Sequence, residues 1–333
     1  MSAVLVTGGA GYIGSHAVKA LRSAGHRAVV LDDLSAGHAQ AVRGVPLVRA
    51  RIHDRGAVRA ALREHACDAV MHFAASLDVG ESVRKPGAYY DNNVAGTLAL
   101  LDAMAAEGVG RLVFSSTCAV YGEPDRMPLD EDHPKRPVSP YGETKLAVER
   151  ALPHYGTAFG LRFVALRYFN ACGADPDGEL GEDHAPEIHL IPRAIDAALG
   201  GPALKLFGED YPTPDGTCQR DYIHVADLAD AHLRALDALR GGAASAFYNV
   251  GTGRPWSVRE VIDTVSRVVG QPVRWEPAPR RAGDPAALYA SSRRVQDGLG
   301  WAPQYTDLET IVRPASARRA AHPGGYEGGA ARG

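Results

Sequence analysis

Apolar and polar positions alternate along the first half of the chain in a pattern that predicts strands separated by helices. Short apolar runs predict strands at residues 3–6, 28–31, 46–48, 69–73, 112–114 and 163–166. Between them, longer segments of helical character predict helices at residues 12–24, 55–65, 89–107 and 141–159. Because strands and helices alternate, we expect an α/β fold built on a doubly wound parallel sheet with helices on both faces.

The pattern is less regular after about residue 170. Gly, Pro and Asp concentrate in residues 173–186, and a second loop is expected at residues 208–216. Helices are predicted at residues 192–199, 225–239 and 257–269. We therefore divide the chain into a main domain of residues 1–170 and a smaller lobe of residues 171–333, which returns to the main sheet near residues 247–250. The Arg/Ala/Gly-rich tail from Arg318 is expected to fray.

Composition narrows the class of protein without identifying it. The chain is 45% hydrophobic and 23% charged, which is ordinary for a globular protein in water. A net charge of −3 gives no reason to expect nucleic acid or a membrane surface as a partner, and no apolar stretch is long enough to cross a bilayer. No signal peptide fits, because the first strand-like run begins at Ala3. The four cysteines are widely separated, so we expect reduced thiols, a cytoplasmic protein and no metal centre.

Three glycines mark a turn between the first predicted strand and the first predicted helix. Gly8, Gly11 and Gly14 form a G-x-x-G-x-x-G pattern. Glycine allows a sharp turn and a close approach of the backbone to a pyrophosphate, and the helix N-terminus offers unpaired N–H groups. In isolation the same glycines would also fit a plain tight turn. Their position in the chain favours a dinucleotide site and a Rossmann-type sheet.

An acidic residue ends the second predicted strand. Asp32 follows Gly14 by 18 positions, close to where a dinucleotide site needs a carboxylate for the adenosine ribose hydroxyls. A carboxylate would repel a 2′-phosphate, so the sequence favours NAD over NADP. The competing interpretation of Asp32 is a solvated turn residue.

A phenol and an ammonium group are placed for acid–base chemistry. Tyr141 and Lys145 lie four residues apart at the start of a predicted helix, and so share one face of it. An ammonium beside a phenol favours the phenolate and lowers the phenol pKa. Thr117 ends a predicted strand, where its hydroxyl would face a cofactor. Alone, Thr117 is equally well interpreted as a residue that caps the strand.

Longer strings resemble the UDP-galactose 4-epimerases of the extended short-chain dehydrogenase/reductase family. They are residues 7–16 (TGGAGYIGSH), 79–83 (VGESV), 89–97 (YYDNNVAGT), 139–145 (SPYGETK), 166–170 (LRYFN), 219–230 (QRDYIHVADLAD) and 280–284 (RRAGD). The resemblance extends from about residue 4 to about residue 326. The glycine motif and Tyr-x-x-x-Lys occur in many relatives, whereas the later strings are far more specific.

The resemblance implies roles for individual residues. Thr117, Tyr141 and Lys145 would form the catalytic group, in which Tyr141 is the general base and acid. The residues implied for NAD are Gly8, Gly11, Tyr12, Ile13, Gly14, Asp32, Phe73, Ala74, Asn92, Tyr141, Lys145 and Tyr168. Those implied for a UDP-sugar are Thr117, Asn170, His189, Leu190, Phe207, Arg220, Arg281 and Asp284. Arginine suits a diphosphate because its planar fork donates two hydrogen bonds, although either arginine alone would be interpreted as part of a surface ion pair.

Three positions depart from the family pattern. Arg51 stands where the family usually has an acid that contacts adenine, and an arginine cannot accept that hydrogen bond. His189 stands where some relatives carry an asparagine that contacts the nucleotide sugar. Leu288 occupies a position where a large Tyr or a small Cys or Ser is thought to control entry of N-acetylated sugars.

The function implied by the resemblance is interconversion of UDP-glucose and UDP-galactose with tightly bound NAD. A 4,6-dehydratase is rejected because Cys118 and Ala119 follow Thr117 where that chemistry needs an Asp-Glu pair. A 4-epimerase of UDP-N-acetylhexosamines, UDP-pentoses or UDP-glucuronate stays open, and a non-catalytic NAD-binding regulator is the alternative from another class. The resemblance also implies a homodimer, with apolar contacts at Leu98, Leu101, Met104, Leu146 and Leu152 unless these pack on the chain's own sheet.

Overall fold

The computed structural model describes residues 2–281 and 284–327, and the strands of these residues form three sheets. The strands, numbered along the chain, are β1 (Ala3–Thr7), β2 (Arg27–Asp32), β3 (Leu47–Arg49), β4 (Cys67–His72), β5 (Arg111–Thr117), β6 (Arg162–Tyr168), β7 (Asn170–Cys172), β8 (Leu204–Phe207), β9 (Gln219–His224), β10 (Ala246–Val250), β11 (Pro255–Ser257), β12 (Trp275–Ala278) and β13 (Ala287–Leu288). Seven of them form one parallel sheet in the order β10-β6-β5-β4-β1-β2-β3. The predicted Rossmann-type α/β fold is confirmed.

Helices cover both faces of the large sheet and most of the second lobe. They are α1 (Tyr12–Ser23), α2 (Arg55–Glu64), α3 (Val79–Arg84), α4 (Pro86–Tyr89), α5 (Gly96–Ala106), α6 (Pro140–Phe159), α7 (Leu190–Ala198), α8 (Val225–Arg240), α9 (Val258–Val269), α10 (Arg293–Leu299) and α11 (Leu308–Ala321). The candidate catalytic helix α6 begins where the Ser139 side chain accepts a hydrogen bond from the backbone N–H of Gly142. It ends at Gly160, whose left-handed backbone (φ 71°) stops the helix.

Alternation along the strands explains why helices pack on both sides. Within β1, Val4 and Val6 belong to the core that includes residues of α1 and α8, whereas Ala3 and Leu5 belong to the opposite core with residues of α2, α5 and α6. Successive side chains of a strand point to opposite faces, so a strand buried on both faces is apolar throughout. The continuous apolar runs in the sequence are the direct result.

A crevice opens where β1 lies between β2 and β4. The end of β1 at Thr7 is paired with Leu31 of β2 on one side and with His72 of β4 on the other. The chain continues from β1 to β2 on one side of this point and from β4 to β5 on the other, so the strand order reverses here. In open α/β sheets, ligands bind outside the carboxyl ends of the strands at such a point.

The second lobe is built around its own core. A four-stranded sheet places β9 between β11 and β13, with β7 also paired to β9, and β8 pairs with β12. Helices α7, α9 and α11 pack over a core that includes Ile195, Val261 and Ile311. Strand β10 lies in the large sheet beside β6, and α8 packs against α1. No helix among the described residues is long and apolar enough to span a membrane.

Two segments differ from the sequence expectation. The helix predicted at residues 89–107 is divided by a π-helical segment, Tyr90–Ala95, because Asn93 turns inward to hydrogen-bond Ser76 and Thr144.

The expectation of fraying from Arg318 is wrong for the described part of the tail. Arg318 lies within α11, is 9% exposed and stacks over the ring of Tyr326, so packing holds this segment. Residues 328–333 of that tail lie outside the described residues.

Candidate active site

The glycine turn after β1 is shaped by close backbone contacts. Gly8 has a positive φ of 71°, and a Cβ there would lie 2.4 Å from the backbone nitrogen of Ala74. A Cβ on Gly14 would lie 2.2 Å from the Gly8 carbonyl oxygen, so this position also excludes a side chain. Gly11 is different, since a Cβ there would meet only the Gly8 carbonyl oxygen, at 3.4 Å. Gly11 therefore leaves open space outside the turn, at the start of α1.

The N-terminus of α1 faces this open space. Gly11 is its N-cap residue and supplies no side-chain hydrogen bond, which leaves the N–H groups of the first turn, including Tyr12 and Ile13, to other partners. A phosphate is the ligand that such a terminus favours. The Tyr12 hydroxyl donates to the carbonyl of Gly173 at 2.7 Å, so it joins this turn to the second lobe.

Asp32, at the end of β2, stabilises the turn through hydrogen bonds. Its two carboxylate oxygens accept hydrogen bonds from the backbone N–H groups of Ala10 and Leu34, each at 2.9 Å. Burial raises the pKa of Asp32, and these two hydrogen bonds oppose that rise. Each carboxylate oxygen retains a second lone pair, so Asp32 can still accept from a ribose hydroxyl.

The residues predicted to line the cofactor beyond β4 lie beside the glycine turn. The backbone N–H groups of Phe73 and Ala74 both donate to the carbonyl of Thr7, at 2.8 and 3.1 Å. Asn92 lies in the π-helical segment, where its amide approaches the Ser76 hydroxyl at 3.4 Å. These residues therefore continue the carboxyl edge of the sheet from β1 to β4.

A buried polar chain lies behind this edge, and no sequence pattern predicted it. The Thr7 hydroxyl lies 2.7 Å from Nδ1 of His72, and Nε2 of His72 lies 2.9 Å from the Thr97 hydroxyl. Thr97 donates its own hydrogen to the carbonyl of Asn93, so it accepts from His72 and the proton lies on Nε2. Burial lowers the pKa of His72 to about 3, so its ring is neutral. The Asn93 amide continues the chain by donating to Thr144 in α6.

Thr117 and Tyr141 meet at the carboxyl end of β5. The Thr117 hydroxyl accepts from the N–H of Ala119 at 3.1 Å, which starts a 3₁₀ turn at Cys118–Val120. Tyr141 is the second residue of α6 and is partly exposed. Burial raises the pKa of the Tyr141 phenol, whereas its hydrogen bond with Thr117 lowers it. The two hydroxyls therefore form one local unit at the carboxyl end of β5.

Lys145 lies one turn further along α6 and is 4% exposed. Its Nζ donates to the backbone carbonyl of Ser115 at 2.8 Å and lies 5.0 Å from the Phe114 ring centroid. Burial lowers the pKa of Lys145 to about 7, and the Glu149 carboxylate opposes this shift. The predicted lowering of the Tyr141 pKa by Lys145 is not found: burial of the phenol and the nearby Tyr168 raise this pKa, and the hydrogen bond with Thr117 is what opposes the rise. Tyr168 completes the group, with its hydroxyl 3.3 Å from that of Ser115.

A buried ion pair supports β5 and α6 beneath these residues. Arg167 in β6 donates from Nε and Nη2 to the two oxygens of Glu149, at 2.8 and 2.7 Å. Glu149 also accepts from the Ser116 hydroxyl at 2.6 Å, and Arg167 donates to Tyr121 at 3.0 Å. The side chains of Arg167 and Glu149 are only 4% and 3% exposed. The pair thus joins β5, β6 and α6 at the level of the candidate catalytic group.

Five residues predicted for the UDP-sugar form a second group in the smaller lobe. Nη2 of Arg220 lies 3.4 Å from a carboxylate oxygen of Asp284, and the guanidinium of Arg281 lies 4.0 Å from the Phe207 ring centroid. The Asn170 amide donates to the carbonyl of Asp221, the residue after Arg220. The structure therefore gathers these predicted residues around β9 and the end of β8.

His189 and Leu190 lie at the start of α7. His189 is the N-cap residue without a capping side-chain hydrogen bond, and Leu190 is the first residue of the helix. Nδ1 of His189 lies 2.5 Å from Glu182 and 3.4 Å from Glu187. Burial lowers the pKa of His189, but the two carboxylates outweigh it and hold the pKa above its ordinary value.

The other two departures from the family pattern have different surroundings. Arg51 is exposed, and its Nη2 lies 3.5 Å from a carboxylate oxygen of Asp91. Leu288 in β13 pairs with Arg220 of β9 and packs on a small core near Cys118, the residue that follows Thr117. Leu288 therefore lies between the candidate catalytic group and the residues predicted to hold UDP.

Comparison with known proteins agrees with this geometry. Residues 4–251 match the model of the NAD dependent epimerase/dehydratase family. The UDP-glucose 4-epimerase of Halalkalibacterium halodurans is 50% identical over 325 residues, which cover 97% of this chain and 97% of that protein.

Solved structures give the same family. The UDP-glucose 4-epimerase of Brucella ovis in complex with NAD is 50% identical, with a TM-score of 0.94 and coverage of 95% of this chain and 98% of that one. The UDP-Glc/GlcNAc 4-epimerase of Campylobacter jejuni is 40% identical, with a TM-score of 0.84 and coverage of 96% and 100%. The chain belongs to the NAD dependent epimerase/dehydratase family and, within it, to the UDP-glucose 4-epimerases.

Proposed function

We propose that this chain interconverts UDP-glucose and UDP-galactose by oxidation and reduction at C4 of the sugar, with NAD as a retained cofactor. The observation that carries the proposal is the position of Thr117, Tyr141 and Lys145 at the carboxyl edge of β5, along the same sheet edge as the glycine turn. The relatives in the comparisons carry the matching name. Retention of both Tyr141 and Lys145 argues against a non-catalytic regulator.

The residues around the glycine turn fit a dinucleotide. A side chain at Gly11 would project into the space beside the turn, and glycine leaves that space open. The uncapped N-terminus of α1 favours a phosphate there. Gly8, Tyr12, Ile13 and Gly14 would hold the pyrophosphate. Asp32 would accept from the adenosine ribose, and Phe73, Ala74, Asn92 and Tyr168 would line the remaining length. When bound, NAD supplies a hydride acceptor for C4 and a donor for the return step.

The acid–base chemistry falls to Tyr141. Its hydroxyl takes the proton of the sugar 4-hydroxyl during oxidation and gives it back during reduction. Thr117 would hydrogen-bond to the Tyr141 hydroxyl and fix the direction of that hydroxyl. Lys145, held by the Ser115 carbonyl, contributes its charge to the phenolate when protonated. Because burial lowers the pKa of Lys145 to about 7, that charge is present only at neutral pH and below.

The second group holds the UDP part while the sugar turns. Arg220 and Arg281 would bind the diphosphate, Asp284 the uridine ribose and Phe207 the uracil. Asn170 would also contact the diphosphate, and His189 and Leu190 would contact the nucleotide sugar. Epimerisation requires the 4-keto sugar to present both faces in turn, so a firm hold on UDP and a loose hold on the sugar suit this chemistry.

We expect the purified protein to contain NAD and to convert UDP-galactose without added cofactor. The cofactor is regenerated in each cycle, and Asp32 disfavours a 2′-phosphate. The measurement is release of nucleotide by denaturation, with its identity determined by chromatography, alongside formation of UDP-glucose from UDP-galactose. Recovery of NADP alone, or consumption of NAD in proportion to product, would contradict the proposal.

Leu288 is the basis of a second prediction, on the range of sugars. We expect activity on UDP-N-acetylglucosamine that is measurable but lower than on UDP-galactose, since Leu is intermediate between a large Tyr and a small Ser. Leu288→Tyr should abolish the secondary activity and spare the main one, because one clash excludes the larger substrate selectively. Leu288→Met, which conserves volume, is the control and should keep both. Equal loss of both activities in Leu288→Tyr would identify Leu288 as a packing residue.

We keep the homodimer as a proposal with a different contact surface. Leu101, Met104, Leu146 and Leu152 are each less than 5% exposed, which supports the competing interpretation that they are buried within the chain's own cores. Leu98 is partly buried against the same core. Tyr90 and Phe159 lie on the same two predicted helices and are 45% and 61% exposed, which makes them better candidates.

The dimer is tested by mass in solution. We expect light scattering at micromolar concentration to give twice the mass of the chain, and Tyr90→Glu to shift the equilibrium towards monomer because it would bury a charge. Trp275→Glu, on an exposed residue away from these helices, is the matched control. A monomeric mass for the unmodified protein would contradict the proposal.

We place the reaction in the cytoplasm. All four cysteines are free thiols, and three of them are buried. Free thiols persist in a reducing compartment, which supports this location.

A further inference from the structure

A second cluster of titratable side chains lies in the loop before α7, outside the candidate catalytic group. Glu182, His184, Glu187 and His189 each offer one nitrogen or oxygen atom, and these four atoms lie within 4.8 Å of one another. Nδ1 of His184 lies 3.1 Å from Oε1 of Glu182 and 3.9 Å from Oε2 of Glu187. The four residues come from only eight consecutive positions, so a short loop supplies the whole set.

Two atoms of the cluster lack the partners that buried polar atoms normally have. Oε1 of Glu187 accepts from the N–H groups of Ile188 and His189, which fixes the carboxylate, while its Oε2 is buried and has no hydrogen-bond partner. Nδ1 of His189 is buried and also lacks a hydrogen bond of acceptable geometry. The Glu187 side chain is 8% exposed and that of Glu182 is 6% exposed. An unpartnered carboxylate oxygen aimed into a group of imidazole nitrogens is a free ligand position.

We propose that Glu182, His184, Glu187 and His189 bind a divalent transition-metal ion, of which Zn²⁺ fits best. Two imidazoles with two carboxylates suit Zn²⁺ better than Mg²⁺ or Ca²⁺, which prefer oxygen ligands alone. Bonds of about 2.0–2.1 Å in a tetrahedron place neighbouring ligand atoms roughly 3.3 Å apart. The separations of 2.5, 3.1 and 3.9 Å lie on both sides of that value. Binding would release the proton that His189 carries beside the two carboxylates, and the resulting two neutral histidines and two carboxylates would balance the charge of the ion.

The ion would have a structural role. Four protein ligands complete a tetrahedral zinc site and leave no position for substrate. His184 packs edge-on against Tyr12, with ring centroids 6.3 Å apart, so the loop touches the start of α1. His189 is the N-cap of α7, and Leu190 follows it. The ion would therefore fix the loop between the cofactor side of the crevice and two residues proposed to contact the sugar nucleotide.

The test is zinc content and affinity, which do not depend on epimerase activity. Protein treated with a chelator would be loaded with zinc, dialysed and analysed for metal, and its affinity measured by competition with a chromophoric chelator. We expect one tightly bound zinc per chain and a rise in Tm on binding, because a ligand of the native state stabilises it. Less than one tightly bound zinc per chain in the unmodified protein would overturn the proposal, and the four side chains would then form a salt-bridged network only.

A pair of double variants assigns the zinc to this cluster. Loss of even one partner in the shell around a metal site weakens binding 10–100-fold, so His184→Gln with Glu187→Gln should weaken it at least about a hundredfold. His154→Gln with Glu179→Gln removes the same residue types from exposed positions and should bind zinc like the unmodified protein. Both variants would be checked for folding by circular dichroism, and the single variant His184→Gln serves if the double one does not fold. Equal zinc affinity in the cluster variant and the control would overturn the assignment.

Discussion

Tyr141→Phe is expected to lower kcat at least about a hundredfold while UDP binding changes little. The substitution removes only the hydroxyl that would carry the proton of the sugar, and leaves the ring that packs at the start of α6. Thr117 is not expected to replace it, because an aliphatic hydroxyl does not ionise in the pH range in which a phenol does. The loss should therefore appear in kcat and equally in kcat/KM, as expected for a group that acts in the transition state.

The measurement is steady-state conversion of UDP-galactose together with UDP affinity by calorimetry. Tyr155→Phe is a suitable control, because Tyr155 lies in the same helix and its hydroxyl bonds to Asp102 at 2.6 Å, away from the crevice. The control should retain full activity. An unchanged rate in Tyr141→Phe would remove Tyr141 from the mechanism, and equal losses in both variants would indicate damage to α6 instead.

The sequence predicted well those features that depend on local pattern. Continuous apolar runs such as the one that contains Val4 and Leu5 exist because each strand is buried on both faces, and that pattern predicts a parallel sheet directly. The glycines and Asp32 are also local, since the turn joins β1 to α1 and Asp32 ends the next strand. In the structure they lie together because parallel strands end at one edge of the sheet.

Features that depend on distant residues were not predictable in the same way. The polar chain that runs from Thr7 through His72 to Thr144 links five separate elements, and each member alone is an ordinary residue. The π-helical segment follows from this chain, because Asn93 has to reach Ser76 and Thr144 from inside a helix. Charged residues such as Glu149 are normally assigned to the surface, so burial with Arg167 gives no sequence signal.

The lobe boundary and the loop before α7 show the same limit. The division at residue 170 stays a prediction, and α8 lies beyond it in sequence yet packs against α1 of the large sheet. Residues 173–186 predicted a loop because Gly, Pro and Asp are frequent there. That composition gives no indication that Glu182 and Glu187 would meet His184 and His189, because the meeting depends on how the loop folds back on itself.

Glu149→Gln is expected to lower the free energy of unfolding by about 3–5 kcal/mol. The substitution keeps the shape of the side chain but leaves the guanidinium of Arg167 buried without an opposing charge. Arg167 donates two hydrogen bonds to Glu149 and one to Tyr121, so it cannot turn towards water without breaking the contact between β6 and α6. The amide also loses one of the two acceptor oxygens that now serve Arg167 and Ser116.

The same substitution should affect Lys145 of the candidate catalytic group. Burial lowers the pKa of Lys145, and the Glu149 carboxylate opposes that shift, so its removal should lower the pKa further. Asp230→Asn is the matched control for stability, since it breaks the exposed ion pair with Arg234, at 2.7 Å, and should cost less than about 1 kcal/mol. Urea denaturation of both variants with saturating NAD measures the difference.

A double variant distinguishes the effect of leaving Arg167 without its charge partner from the effect of removing the whole ion pair. Replacement of both residues, Glu149→Leu with Arg167→Met, removes the buried charges together, and a buried ion pair often costs as much in desolvation as it returns in attraction. The double variant should therefore be more stable than Glu149→Gln alone, although it loses the hydrogen bonds to Ser116 and Tyr121. If the double variant were the less stable of the two, the hydrogen bonds rather than the unpaired charge would dominate. If Glu149→Gln matched Asp230→Asn, the pair would not stabilise the junction of β5, β6 and α6 at all.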